Sequence, residues 1–191
     1  MRAIHPLIMA SLFVAGPSAQ QSPVGTTGDP GLKCTAFAIS TGSLETGSAT
    51  SPLDIVIDRW SSEDERQQLL EALKRNQDAL LSTLQDMEPV GRIRTPTSVG
   101  WDLRYASSGR GEPGERRIVI GTDRPMNVAE AIGRPRSADY PFTFIELRVN
   151  QAGEGEGRMS VATRVSASTS RFIQLENYDT QPVRLNQVRC Q

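Results

Sequence analysis

Apolar and polar residues alternate most clearly over residues 140–150 (YPFTFIELRVN), where Ile145, Leu147 and Val149 interleave with Glu146, Arg148 and Asn150. A period of two marks a strand with one buried face. On the other parity, Phe142 and Phe144 add aromatic bulk before Glu146 and Arg148 begin. The segment is therefore apolar on both faces at its start and on one face at its end, which suits the middle of a curved antiparallel sheet.

Weaker alternations fall on either side. Residues 34–40 (CTAFAIS) read as a first strand, and residues 41–52 (TGSLETGSATSP) as a turn-rich loop without periodicity. In residues 54–60 (DIVIDRW), Ile55 and Ile57 face one way and Asp54, Val56 and Asp58 the other. A helix start follows, because Ser62 with Glu65 three residues on fits a capping box, and Glu63 and Asp64 complement the helix dipole. Leu69, Leu70 and Leu73 mark its apolar face. Asn76 interrupts it, and Asp78 is placed to cap a second helix through Leu80, Leu81, Leu84 and Met87. Residues 62–87 thus predict one helical hairpin or one bent helix.

Every later signal is β, apart from a single helical turn over residues 127–132. Trp101, Leu103 and Tyr105 share a face opposite Asp102 and Arg104, residues 107–114 form a turn, and residues 116–122 (RRIVIGT) return as a hairpin. Pro125 ends that strand. Residues 151–157 (QAGEGEG) read as a flexible hairpin loop, with Met159, Val161, Thr163 and Val165 alternating in one returning strand. Residues 172–178 and 183–188 predict a last hairpin. The fold class is α+β: an antiparallel sheet of about seven or eight strands, curved or partly barrel-like, with the helical element on one face.

Residues 1–19 read as a secretory signal, with Arg2 before the apolar run 7–15 and cleavage between Gly16 and Gln20. Residues 20–33 read as a disordered linker, and 34–191 as a single domain. Export gives meaning to the two cysteines, since an oxidising compartment favours one bridge between Cys34 and Cys190. Such a bridge brings the first and last strands within about 6 Å in Cα distance. The predicted location is periplasmic or secreted.

Absences narrow the chemistry. The lone histidine, His5, is lost with the signal, which closes Ser-His-Asp, Cys-His and histidine-ligated metal chemistry to the mature chain. Lys33 and Lys74 are the only lysines. A formal charge of -1 argues against a strongly basic nucleic-acid binder. No cofactor and no metal is predicted, nor any membrane-spanning segment after cleavage.

Candidate ligand-binding residues are Arg59 and Trp60, a stacking platform or a core anchor; Asp123, Arg124 and Glu130 at a strand end; Tyr140 and Tyr178 beside turns; and Glu146 on the central strand. Asp54, Asp58, Asp123, Glu130 and Glu146 supply a carboxylate pair for hydrolysis only where two of them stand about 5–10 Å apart.

The order IDRWSSEDER, VGRI, RRIVIGTDRP, DYPFTFIELRVN, GEGEG, LENYD, PVRL over about residues 54–188 is similar to a family of uncharacterised bacterial exported proteins, which implies no activity or site residue. The helix-plus-sheet order also resembles folds that wrap a sheet around a helix to form a ligand cavity. The functional expectation is an exported, non-catalytic domain that binds a small apolar or amphipathic ligand or a protein partner. The alternatives are a carboxylate-dependent, glycosidase-like hydrolase and a structural cell-envelope protein.

Overall fold

The computed structural model describes residues 30–41, 48–124, 142–160, 163–167, 173–177 and 183–191. In chain order the elements are β1 (Leu32–Thr41), β2 (Ser48–Ile57), α1 (Glu63–Arg75), α2 (Gln77–Asp86), β3 (Gly91–Arg94), β4 (Trp101–Arg110), β5 (Arg116–Thr122), β6 (Phe144–Val149), β7 (Glu154–Ser160), β8 (Thr163–Ala167), β9 (Ile173–Asn177) and β10 (Val183–Cys190). Eight strands close into an antiparallel barrel in the order β1-β10-β7-β6-β5-β4-β3-β2, and β8 pairs with β9 in a separate two-stranded sheet. Closure removes the exposed strand edges that an open sheet leaves. The α+β class and the barrel-like antiparallel sheet are as the pattern predicts.

The two parities of β6 explain the layering. Ile145, Leu147 and Val149 point inward and join Ile55, Ile93, Ile118 and Leu185 in one buried cluster. Phe144, on the outer parity, belongs with Phe142, Tyr105 and Val119 to a second cluster completed by Leu69, Leu80, Leu84 and Met87 of the helices. Phe142 and Phe144 meet edge to face, with ring centroids 5.5 Å apart. The helices therefore cover the outside of β4, β5 and β6, and the barrel interior is filled with side chains. This differs from the wrapped-helix cavity that the element order resembles.

The helical region is two helices. Ser62 and Glu65 form the capping box: Glu65 N donates to Ser62 Oγ at 3.1 Å and Ser62 N to Glu65 Oε2 at 2.7 Å. Asn76, fully extended, ends α1 and caps α2, its Oδ1 accepting from Ala79 N at 2.7 Å. The cap is thus Asn76 and not Asp78, which lies in the first turn of α2.

Several boundaries differ from the pattern, each because backbone pairing outweighs side-chain alternation. β1 starts at Leu32, two residues inside the expected linker, and β2 starts at Ser48, inside the expected loop, because the two pair from Thr41↔Ser48 to Leu32↔Ile57. The short strand β3, unmarked by any alternation, bridges β2 and β4. β4 runs on through Ser107 and Gly109 to Arg110 against β5, where the pattern predicts a turn. The Gly-Glu-Gly-Glu-Gly run is mostly strand: β7 pairs with β6 on one side and β10 on the other. Its Gly157 lies opposite Leu147, where a Cβ would meet Leu147 Cδ2 at 2.7 Å and Leu185 Cβ at 3.4 Å. That glycine makes room inside the barrel. Met159 belongs to β7 and Thr163 and Val165 to β8, and β9 pairs with β8 rather than with β10.

Two bulges correct the facing of side chains. At Arg104 the register steps from Leu103↔Thr122 to Tyr105↔Gly121. Leu103 stays in the interior while Tyr105 turns out beneath the helices, so the two do not share a face. In β10 the register shifts on both sides around Gln187, at φ 52°, and this returns Val188 to the interior.

Cys34 and Cys190 are bridged, with their Cα atoms 4.1 Å apart. They are direct partners in the β1–β10 pairing, the seam that joins the first and last strands. Next to them, Lys33 and Gln191 exchange backbone bonds of 3.0 and 2.9 Å. Among the described residues no helix is long and apolar enough to cross a membrane. The expected signal, the helical turn at 127–132, Glu130, Tyr140 and Tyr178 lie outside the described residues.

Candidate functional site

Each buried carboxylate on the barrel exterior is matched to arginine. Glu146, 5% exposed, receives Arg117 Nε and Arg148 Nε at 3.0 Å each on Oε1, with Arg158 Nη2 3.5 Å from Oε2. The register puts them there: Arg117 pairs with Arg148 across β5–β6, and Arg158 sits directly opposite Glu146 on β7. Burial by itself pushes the Glu146 carboxyl up, but the Arg117 and Arg148 hydrogen bonds and the Arg158 charge outweigh it. The net direction is below the ordinary carboxylate range. A general acid needs the opposite shift.

Asp123 is also buried. Its Oδ2 accepts from Arg104 Nε at 3.1 Å, and Arg104 Nη1 donates to the Met87 carbonyl at 2.7 Å, tying the end of β5 to the end of α2. Arg124 is a looser partner at 3.7 Å and lies mostly in solvent. Arg59 forks onto Glu65 at 3.0 and 2.9 Å and reaches the Glu88 carbonyl at 3.3 Å, so it braces the start of α1. The Arg59 hydrogen bonds hold Glu65 below the usual range. Trp60 is a core anchor, 7% exposed, with the Arg116 guanidinium 5.0 Å from its ring centroid. Its ring meets the chain's own arginine, so a platform for an external ligand is not what Arg59 and Trp60 build.

Of the carboxylates considered for hydrolysis, the four described ones, Asp54, Asp58, Asp123 and Glu146, sit at different places on the barrel. Asp54 faces outward on β2, paired with Arg94 at 3.2 Å, and β2 lies across the barrel from β6. Asp58 is exposed just beyond β2. Val119 pairs with Glu146, and Asp123 lies four residues further along the chain of β5, about 13 Å at 3.3 Å per residue. Each of these two carboxylates is taken up by its own arginines, Asp123 by Arg104 and Glu146 by Arg117 and Arg148. Among the described residues no group of three or more His, Cys, Asp or Glu is arranged to hold a metal ion.

An open recess lies at one end of the barrel. The β4–β5 turn (110–116), the β6–β7 turn (149–153), Leu32 of β1 and Cys190 of β10 line it, around about 830 Å³. Arg110, Glu112, Glu115 and Arg116 give one wall its charge, while Leu32, Pro113 and Val149 supply apolar surface. Glu115 Oε2 and, just below, Trp60 Nε1 are buried without a hydrogen-bond partner among the described residues. Trp60 sits under Arg116, which also donates to Ser108 Oγ at 2.7 Å. Gly153 has φ +77°, and a Cβ there would run into the Cys190 carbonyl oxygen, so the turn docks backbone to backbone on β10. Cys190 N donates to Gly153 O at 2.8 Å.

Among the described residues that the sequence names as site or disulfide candidates, only Cys190 lines this cleft; those it misses are the turn residues. A signal for them exists. In an up-and-down barrel alternate connections fall at the same end, so the turn after β4, the turn after β6 and the end of β10 must gather together. Comparison with known proteins finds no matching family model, no matching curated relative and no matching solved structure.

Proposed function

We propose that this chain is an exported, non-catalytic domain that binds a small amphipathic ligand in the cleft at the disulfide-bridged end of its barrel. The observation that carries this reading is the cleft itself: a recess of about 830 Å³ with charged and apolar walls, beside an interior already filled by side chains. The matched ion pairs support the non-catalytic part, because Glu146 is held ionised by arginines. The Cys34–Cys190 bridge supports an oxidising compartment.

Anilinonaphthalene sulfonate, with one anionic group and fused apolar rings, is a suitable probe. Titrated against the folded protein, it binds saturably, and Ala152→Trp, which fills the cleft from an exposed turn position, weakens binding by about tenfold, or 1.4 kcal/mol. Equal binding to wild type and Ala152→Trp, or no saturable binding, overturns the reading.

A further inference from the structure

Resting on that reading of the cleft, we infer that the Cys34–Cys190 bridge is a redox control on ligand binding as well as a staple. Several observations combine. The β10 bulge around Gln187, at φ 52°, shifts the register between the last stretch of β10 and the rest of the strand on both its β1 and β7 sides. Beyond that bulge, the stretch pairs through Cys34↔Cys190 and Thr35↔Arg189, with the Lys33–Gln191 backbone bonds beside them, on one side and through Val188↔Gly155 and Arg189↔Glu154 on the other. The covalent bond lies within this short stretch, so it clamps the segment that the bulge would otherwise let swing.

The same segment carries the cleft. Cys190 and Leu32 both line the recess, so the two strands joined by sulfur meet at its surface. The Cys190 N–H to Gly153 O bond and the close backbone approach at Gly153 hang the 149–153 wall on β10. Cys190 is the more exposed of the two cysteines, with Cys34 only 2% accessible.

The reaction is a dithiol–disulfide exchange. A thiolate of an external dithiol attacks Cys190 Sγ, Cys34 leaves as a thiolate and takes up a proton, and the second thiol of the reductant resolves the mixed disulfide. The protein gains two protons and two electrons, and the reductant becomes a cyclic disulfide. Once released, residues 188–191 loosen about Gln187, the wall at Gly153 loses its support, and the cleft spreads.

The test is amide hydrogen exchange, read residue by residue, on oxidised protein, on protein reduced with dithiothreitol, and on the Cys34→Ser/Cys190→Ser variant. Reduction, verified by mass, is expected to speed exchange at Gly153, Cys190 and Gln191 by about tenfold or more. Ile118 and Leu147 in the interior stay protected, and the serine variant reproduces the pattern without reductant. Affinity for anilinonaphthalene sulfonate falls in parallel. Unchanged exchange at Gly153 and Cys190 after complete reduction overturns the inference. So does exchange that rises throughout the barrel, which makes the bond a staple only, and so does a bond that resists dithiothreitol in the native protein. If the probe fails to bind oxidised wild type, the cleft reading fails, while the exchange pattern still decides the coupling.

Discussion

At the scale of single residues, Glu146 shows how a buried charge is made tolerable. Three arginines from three strands converge on one carboxylate, two of them on the same oxygen. Removing the charge leaves arginines facing one another. Glu146→Gln should therefore destabilise the fold by about 2–3 kcal/mol at pH 7, less than a fully buried pair because Arg148 and Arg158 are partly in water. The carboxyl is depressed in the folded state, so its contribution is complete above the unfolded pKa and disappears as pH falls through the lower folded value. Urea titrations at pH 7 and pH 3 check this: the gap between wild type and Glu146→Gln should be wide at the first pH and narrow at the second. A constant gap contradicts it. Alternation places Glu146 on the polar parity of β6. It says nothing of Arg117 or Arg158, because their approach depends on strand register, which emerges only when distant segments pair.

At the scale of elements, local signals are readable and pairing signals are not. The Ser62 capping box is written in four consecutive residues and forms as read. Ser62→Ala should lower stability by about 1 kcal/mol in urea unfolding, and an unchanged midpoint would mean that the cap is redundant. The β4 and β10 bulges leave no mark in the alternation, which is why it assigns Tyr105 the wrong face. Gln187 offers the direct check on the second bulge. A β-branched side chain tolerates its positive φ poorly, so Gln187→Val should destabilise by about 1–2 kcal/mol and Gln187→Gly should not. Equal effects from the two variants would place the residue in ordinary extended backbone. The glycines of β7 mislead for a related reason: a glycine that clears space for Leu147 and Leu185 reads in sequence like one that supplies flexibility.

At the scale of the whole molecule, topology gathers the cleft. Turns distant in sequence share a barrel end because strands alternate in direction, and one disulfide joins the strands that close the ring. The bridge spans a sequence separation of 156, so the chain-entropy model gives at most about 5 kcal/mol of stabilisation. The Cys34→Ser/Cys190→Ser variant should lose a large part of that in urea unfolding while keeping the circular dichroism of the native fold. Loss of the native signal in the absence of denaturant would show that the barrel needs the bond to form at all. Fold class is legible because period-two segments in short succession leave few architectures open. The cleft is not legible in the alternation, because it is made of loop residues with no periodicity, and only the up-and-down strand order gathers them.

Everything functional turns on binding at the barrel end rather than within it. The direct measurement is a heteronuclear NMR titration of the oxidised protein with anilinonaphthalene sulfonate. Shifts confined to residues 110–116, 149–153 and Cys190 are the predicted result. Shifts centred on Ile55, Ile118 and Leu147 in the interior, or on the outer faces of the helices, would contradict it.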